Sequence, residues 1–184
     1  MRIKYIVLLA LIILIAIIGF RTISLFTEGR SYYFKHTDST NLRNESFDKV
    51  RLHDNIHNPS FVKHYGTPLS REDNEIYDYY HWEGGLETAS MINGKDKGDI
   101  VRLIIGEVEE GVKTKTSLKT AKGIVIGSTK QDVIDSYGSS YYTRTEQGVD
   151  IVEYVDHKLG ATIEFWLVEN GKVAEIRFDD TNIN

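Results

Sequence analysis

The chain has 184 residues, no cysteine, and 22 Lys or Arg against 27 Asp or Glu, for a formal net charge of −5. Residues 1–30 hold four Lys or Arg against one Glu, so the remainder carries −8. An acidic body without a basic run argues against nucleic acid as a partner, and the lack of cysteine leaves no disulfide staple, thiol nucleophile or lipid-modified N-terminal cysteine.

Arg2 and Lys4 precede an unbroken apolar run from Tyr5 to Phe20 that stops at Arg21. At ~1.5 Å per residue the run makes roughly 24 Å of helix, and Ile23, Leu25 and Phe26 extend it toward the ~30 Å of a bilayer core. Residues 1–26 therefore read as a transmembrane anchor or signal segment. Cleavage after Gly19 would place bulky Ile17 at −3, which favours the uncleaved signal-anchor. A short cationic tail inside and the domain outside gives a single-pass cell-membrane protein with an extracytoplasmic C-terminal domain, secreted if the segment is cleaved. Residues 27–46 are polar apart from Tyr32, Tyr33 and Phe34 and read as a spacer.

From Phe47 the chain is expected to run twice through one pattern, as repeat 1 (47–106), a linker (107–122) and repeat 2 (123–184). In repeat 1, Asn58 caps a helix with Pro59 at its first position, Phe61, Val62 and Tyr65 form its apolar stripe, and Gly66 ends it. Ile76–Trp82, Glu87–Ile92 and Asp99–Ile105 read as strands, with a turn at Asn93-Gly94. The linker has Glu107, Glu109 and Glu110 followed by Lys113, Lys115, Lys119 and Lys122. In repeat 2, Ser128 and Gln131 are predicted to form a capping box, Val133, Ile134 and Tyr137 the stripe, and Gly138 the stop. Strands follow at Val149–Val155, Ala161–Val168 and Lys172–Phe178, with Asn170-Gly171 as the last turn. The expected fold class is α+β: an N-terminal transmembrane helix, then two tandem repeats, each a short helix packed on an antiparallel sheet of about three strands.

The segment Gly123-Ile-Val-Ile-Gly-Ser-Thr-Lys-Gln-Asp-Val-Ile-Asp-Ser-Tyr-Gly138, with its tyrosine-rich loop and final Asn-Gly hairpin, resembles the β-lactamase inhibitor protein-like superfamily and the BamE/SmpA type of envelope lipoprotein. The resemblance spans roughly residues 47–179 and is specific at Gly127–Gly138. It implies an extracytoplasmic module that binds protein through a sheet surface. Repeat 1 departs from the motif, with His53-Asp-Asn-Ile-His-Asn-Pro in place of the Gly-x-Thr turn, and no inhibitory residue of the family maps onto this chain.

His53, His57 and His64 are widely placed around a helix start and lack the geometry of a zinc site, so no metal and no cofactor is expected. No nucleophile elbow, phosphate loop or His-Glu-x-x-His is present, and no carboxylate pair is marked out, which favours binding over catalysis. Alternation along Tyr77-Asp-Tyr-Tyr-His-Trp82 and along the strand holding Trp166 leaves aromatics for an exposed sheet surface. The expected partner-binding residues are Tyr79, His81, Trp82, Tyr141, Tyr142, Glu164, Trp166 and Arg177. The expected function is a non-enzymatic, membrane-anchored module that binds an envelope or extracellular protein. The alternative is a sensor or carrier domain holding a small ligand or cell-wall fragment in a groove between the repeats.

Overall fold

The structure, a computed structural model, describes residues 29–106 and 118–182. Helix α1 (Arg30–His36) stands in a unit of its own that ends at Thr37. It contains the Tyr32-Tyr33-Phe34 triplet, buries none of its residues, and carries Lys35 and His36 where its negative end favours cations. The predicted spacer therefore holds a helix, and its second part is not a spacer either. Leu42 is buried at the start of the main unit, Asp38–Asn184.

That unit contains α2 (Pro59–Tyr65), β1 (Ser70–Glu72), β2 (Tyr77–His81), β3 (Leu86–Met91), β4 (Ile100–Gly106), α3 (Lys130–Tyr137), β5 (Tyr142–Glu146), β6 (Val149–Asp156), β7 (Ala161–Val168) and β8 (Lys172–Asp180). All eight strands join one antiparallel sheet in the order β1-β2-β3-β4-β8-β7-β6-β5. This corrects the expected architecture of two repeats with a sheet each. The two runs of strands meet where Arg102–Gly106 of β4 pair with Asp179–Glu175 of β8. A hydrogen-bonded seam thus occupies the place where a groove between repeats was expected. Among the described residues no helix is long and apolar enough to cross a membrane, and the expected N-terminal transmembrane helix is not among the elements described. The segment 1–26 that suggested it, with the signal-anchor and single-pass readings, lies outside the described residues.

Local chemistry sets the helix ends. Asn58 Oδ1 accepts from the Ser60 N–H at 3.1 Å, Pro59 occupies the first position, and Gly66 closes α2 at φ 70°. At α3 the cap is Thr129 with Asp132, one residue beyond the predicted pair Ser128 and Gln131. Ser128 is unavailable because its Oγ accepts from the Val125 N–H at 3.1 Å and its carbonyl from Val173 at 2.8 Å. Gly138 ends α3 at φ 92°, a conformation that a side chain resists.

Both helices cover one face of the sheet. Phe61 of α2 meets Trp82 edge-on at 4.9 Å, and Tyr137 of α3 lies 5.1 Å from Phe165 and 5.2 Å from Tyr154. Buried carboxylates fasten the irregular segments to this layer. Glu45 accepts from the Ser46 and Ala121 N–H groups at 2.9 and 2.7 Å and from the Tyr137 hydroxyl at 2.7 Å. Leu118 and Thr120, read from sequence as the end of a linker, are buried beside it, while 107–117 lie outside the described residues.

Asp156 at the end of β6 accepts from Leu42, Lys158 and Leu159 N–H groups at 2.8, 2.9 and 3.0 Å. Burial alone would raise its pKa, but the three backbone donors and Lys158 outweigh burial and hold it below the usual aspartate value. Asp156→Asn is expected to cost roughly 2 kcal/mol at neutral pH in urea melts, as for hydrogen bonds to a charged group. Because the folded carboxyl has the lower pKa, this contribution is present above the unfolded value of about 4 and is lost as pH falls through the folded one. The native chain should show that acid-side decline, and the variant should lack it.

Candidate functional site

The strand register decides which side chains share the sheet face opposite α2 and α3. One row crosses the sheet as His81, Glu87, Ile104, Arg177, Glu164, Glu153 and Tyr142. A second runs Tyr79, Ala89, Arg102, Asp179, Thr162 and Val155, and a third runs Glu175, Trp166, Ile151 and Arg144. Six of the residues picked from sequence, Tyr79, His81, Tyr142, Glu164, Trp166 and Arg177, therefore stand on one face. Trp166 sits where the β7–β8 register shifts between Trp166 and Leu167, and such bulges re-aim a side chain relative to the regular ladder.

Trp166 is half-buried and held from three sides. The Arg177 guanidinium lies over its ring at 4.1 Å and that of Arg144 at 5.7 Å, and its indole N–H donates to Glu164 Oε2 at 2.8 Å. Arg144 also reaches Glu164 and Glu153, each at 3.0 Å, and pairs with Glu146. Arg177 pairs with Glu175. Burial works to lower the Arg144 pKa, and the surrounding carboxylates more than reverse it, so the guanidinium is a permanent cation in this frame.

A second group lies across the seam. Arg102 grips Asp179 with Nε at 2.5 Å and Nη2 at 3.3 Å, and its Nη1 donates to the Tyr79 hydroxyl at 3.0 Å. Desolvation acts to lower the Arg102 pKa but Asp179 overrides it and raises it. Burial raises the Tyr79 phenol despite the neighbouring Arg102. His81 Nδ1 lies 3.1 Å from Glu87 and its Nε2 3.6 Å from Glu72. Burial also raises the Glu87 carboxyl, only partly offset by His81.

Four expected contact residues are placed elsewhere than on an open surface. Trp82 is 4% exposed, packs against α2, and donates its indole N–H to Thr88 Oγ1 at 3.0 Å. Strand alternation put it on the face opposite His81, and that face is the core. Glu164 is 1% exposed and Tyr142 7% exposed; Glu164 braces Trp166 from beneath. Tyr141 lies 5.7 Å from Tyr154 on the helix-covered side and packs against the core. Arg144, Arg102, Glu87 and Asp179 were not picked from sequence. Arg144 had a usable signal in the Gln147-Gly148 turn, where both residues have positive φ, 52° and 83°, and which joins β5 to β6. Among the described residues no group of three or more His, Asp or Glu is arranged to hold a metal ion.

No protein-family model matches the chain, and no curated protein matches it. Among solved structures it is similar to a DUF4309 family protein (YjgB) from Bacillus subtilis, at 13% identity over 82% of this chain and 91% of that one, with a TM-score of 0.41. A likeness of that size carries no argument here, and the resemblance drawn from Gly127–Gly138 receives no support from it.

Arg144→Ala would withdraw one counter-charge from two buried carboxylates. The expected loss is about 3 kcal/mol in urea denaturation, in the range for breaking a buried pair from one side. Arg144→Lys should recover only part of it, because an ammonium lacks the planar fork that reaches several carboxylates at once.

Proposed function

We propose that this chain is an extracytoplasmic, non-enzymatic protein-binding module whose working surface is the sheet face centred on Trp166. The observation that carries the reading is the fixed, half-buried indole between two arginines. Interface anchors are enriched in Trp, Tyr and Arg, and they gain when their rotamers are locked before the partner arrives. Trp166, Arg177, Arg102 and Tyr79 form such a set across β7, β8, β4 and β2, with Ile104 between the two arginines. The ionisable side chains around them are engaged in structural pairs with one another, an arrangement suited to shape and charge recognition rather than to proton transfer. The extracytoplasmic placement rests on the cationic start and apolar run of the first 26 residues, read as an export segment.

The rim is acidic. Glu72, Glu146, Glu175 and Glu87 have side chains 74%, 46%, 30% and 24% exposed, against 29% for both Arg102 and Arg177. The matching partner surface is a basic-rimmed protein patch with an apolar centre. Association should accordingly slow as ionic strength rises, while the dissociation rate changes little.

Crosslinked co-purification from native cells identifies the partner, and titration of the purified pair tests the surface. Trp166→Ala is expected to weaken the complex by about 2 kcal/mol or more, with the circular dichroism spectrum and cooperative melting retained. Loss of binding only in proportion to unfolding would make Trp166 a structural residue and move the site off this face.

A further inference from the structure

Beside the turn that joins β6 to β7, the main unit forms a cavity of about 540 Å³, well inside the usual range for ligand sites, roughly 300–1,000 Å³. One wall is the segment 39–43, the other is the turn itself, and the lining side chains are Ser39, Asn41, Arg43, Asp156, Lys158 and Leu159. Residues 39–43 alternate: Thr40 and Leu42 are buried, while Ser39, Asn41 and Arg43 are exposed. An extended chain sends successive side chains to opposite sides, so burial of Thr40 and Leu42 turns the three polar residues toward the cavity.

Hydrogen bonds hold the two walls together. The Thr40 N–H donates to Val155 O at 2.7 Å, the His157 N–H to Ser39 Oγ at 3.1 Å, and the Leu42 N–H to Asp156 Oδ2 at 2.8 Å. Asp156 Oδ1 accepts from the Lys158 and Leu159 N–H groups at 2.9 and 3.0 Å. One carboxylate thus ties Leu42 to the turn and sets the width between the walls. A frame fixed before a ligand arrives lowers the ordering cost of binding.

The side-chain acceptors here are engaged, and donors remain. Both Asp156 oxygens meet backbone N–H groups. Asn41 Oδ1 accepts from the Arg43 N–H at 3.1 Å, and since only the amide oxygen can accept, the Asn41 amino group is left to donate. Ser39 Oγ accepts from His157, which leaves its own proton to donate. Arg102, Arg144 and Arg177 are each paired with carboxylates. Arg43 and Lys158, by contrast, form no ion pair among the described residues, and Lys158 acts on Asp156 only by attraction at longer range. Two cations and one carboxylate leave the cavity with one net positive charge.

Donors on four side chains around one space suit an oxyanion with several acceptors. A phosphate monoester offers three strong acceptor oxygens, against two for a carboxylate, and the guanidinium fork matches phosphate geometry. The volume exceeds what a phosphate group alone fills, and Leu159, partly buried against the core, gives the remainder an apolar side.

We propose that this cavity binds a small phosphate monoester, with Arg43, Lys158, Asn41 and Ser39 holding the phosphate and Leu159 lying against the group that carries it. The site does not involve the Trp166 face and does not rest on the function proposed for it.

The test is a titration of the full-length, nitrogen-15-labelled chain with glycerol 3-phosphate at fixed ionic strength. Saturable shifts are expected in the backbone N–H signals of Leu42, Lys158 and Leu159, with the Trp166 indole signal left in place. Arg43→Ala and Lys158→Ala should each weaken binding about tenfold or more, the loss of a charge-assisted hydrogen bond. Both side chains are exposed, so these variants should keep the native melting temperature. Arg43→Lys should recover part of the affinity, because the charge returns without the fork. Acetate bound as tightly as the ester would overturn the phosphate class, and inorganic phosphate bound as tightly would overturn the part assigned to Leu159. No saturable shift with the ester, or full affinity in both alanine variants, would overturn the site.

Discussion

Everything else in this molecule depends on the pairing of β4 with β8. Each run of four strands ends in a strand that would otherwise expose a row of unpaired backbone groups, an invitation to aggregation. Pairing Arg102–Gly106 with Asp179–Glu175 removes both edges at once and makes a sheet eight strands wide. The two edges that remain are β1, three residues long with Arg71 and Glu72, and β5, which carries Arg144 and Glu146. Short and charged edges discourage further strand addition. The same seam sets Arg102 against Asp179 and Ile104 against Arg177, so the outer surface is continuous only because the sheet is.

The two faces of that sheet use different chemistry. The helix-covered face is held by burial of Phe61, Trp82, Tyr137, Phe165 and Ile176, with Glu45 and Asp156 collecting backbone donors where the chain is irregular. The outer face is held by ion pairs. Replacing such buried pairs by apolar groups often leaves stability unchanged or improves it, so the Arg144 cluster is poorly explained as a device for stability. What it does is fix the indole of Trp166 in one orientation with charged groups around it.

Much of the local structure was legible from the residues. β7 has its predicted bounds, and β6, β8, β2, β3 and β4 lie within two residues of theirs. Asn58, Pro59, Gly66 and Gly138 mark helix ends through their own backbone chemistry. What failed did so for physical reasons. β1 reads Ser-Arg-Glu and the exposed part of β5 Thr-Arg-Thr-Glu, and edge strands facing water have no apolar alternation to detect. The cap at α3 slipped by one residue because Ser128 is committed to a turn that depends on Val125 and Val173. The β4–β8 seam has no local signature, so two sheets were expected where there is one. Alternation separated Tyr79 and His81 from Trp82, and Trp166 from Phe165, but it cannot say which face is covered. Trp82 fell on the covered one, and Glu164 and Tyr142, though on the outer face, are themselves buried.

The central claim is that the outer face is one recognition surface spanning the seam. The direct measurement places a photoreactive phenylalanine analogue separately at Tyr79 on β2, at Trp166 on β7, and at Val62, exposed on α2, in the native host. One and the same protein crosslinked from Tyr79 and Trp166 but not from Val62 is the result this account predicts. Capture from Val62 with none from either sheet position would contradict it.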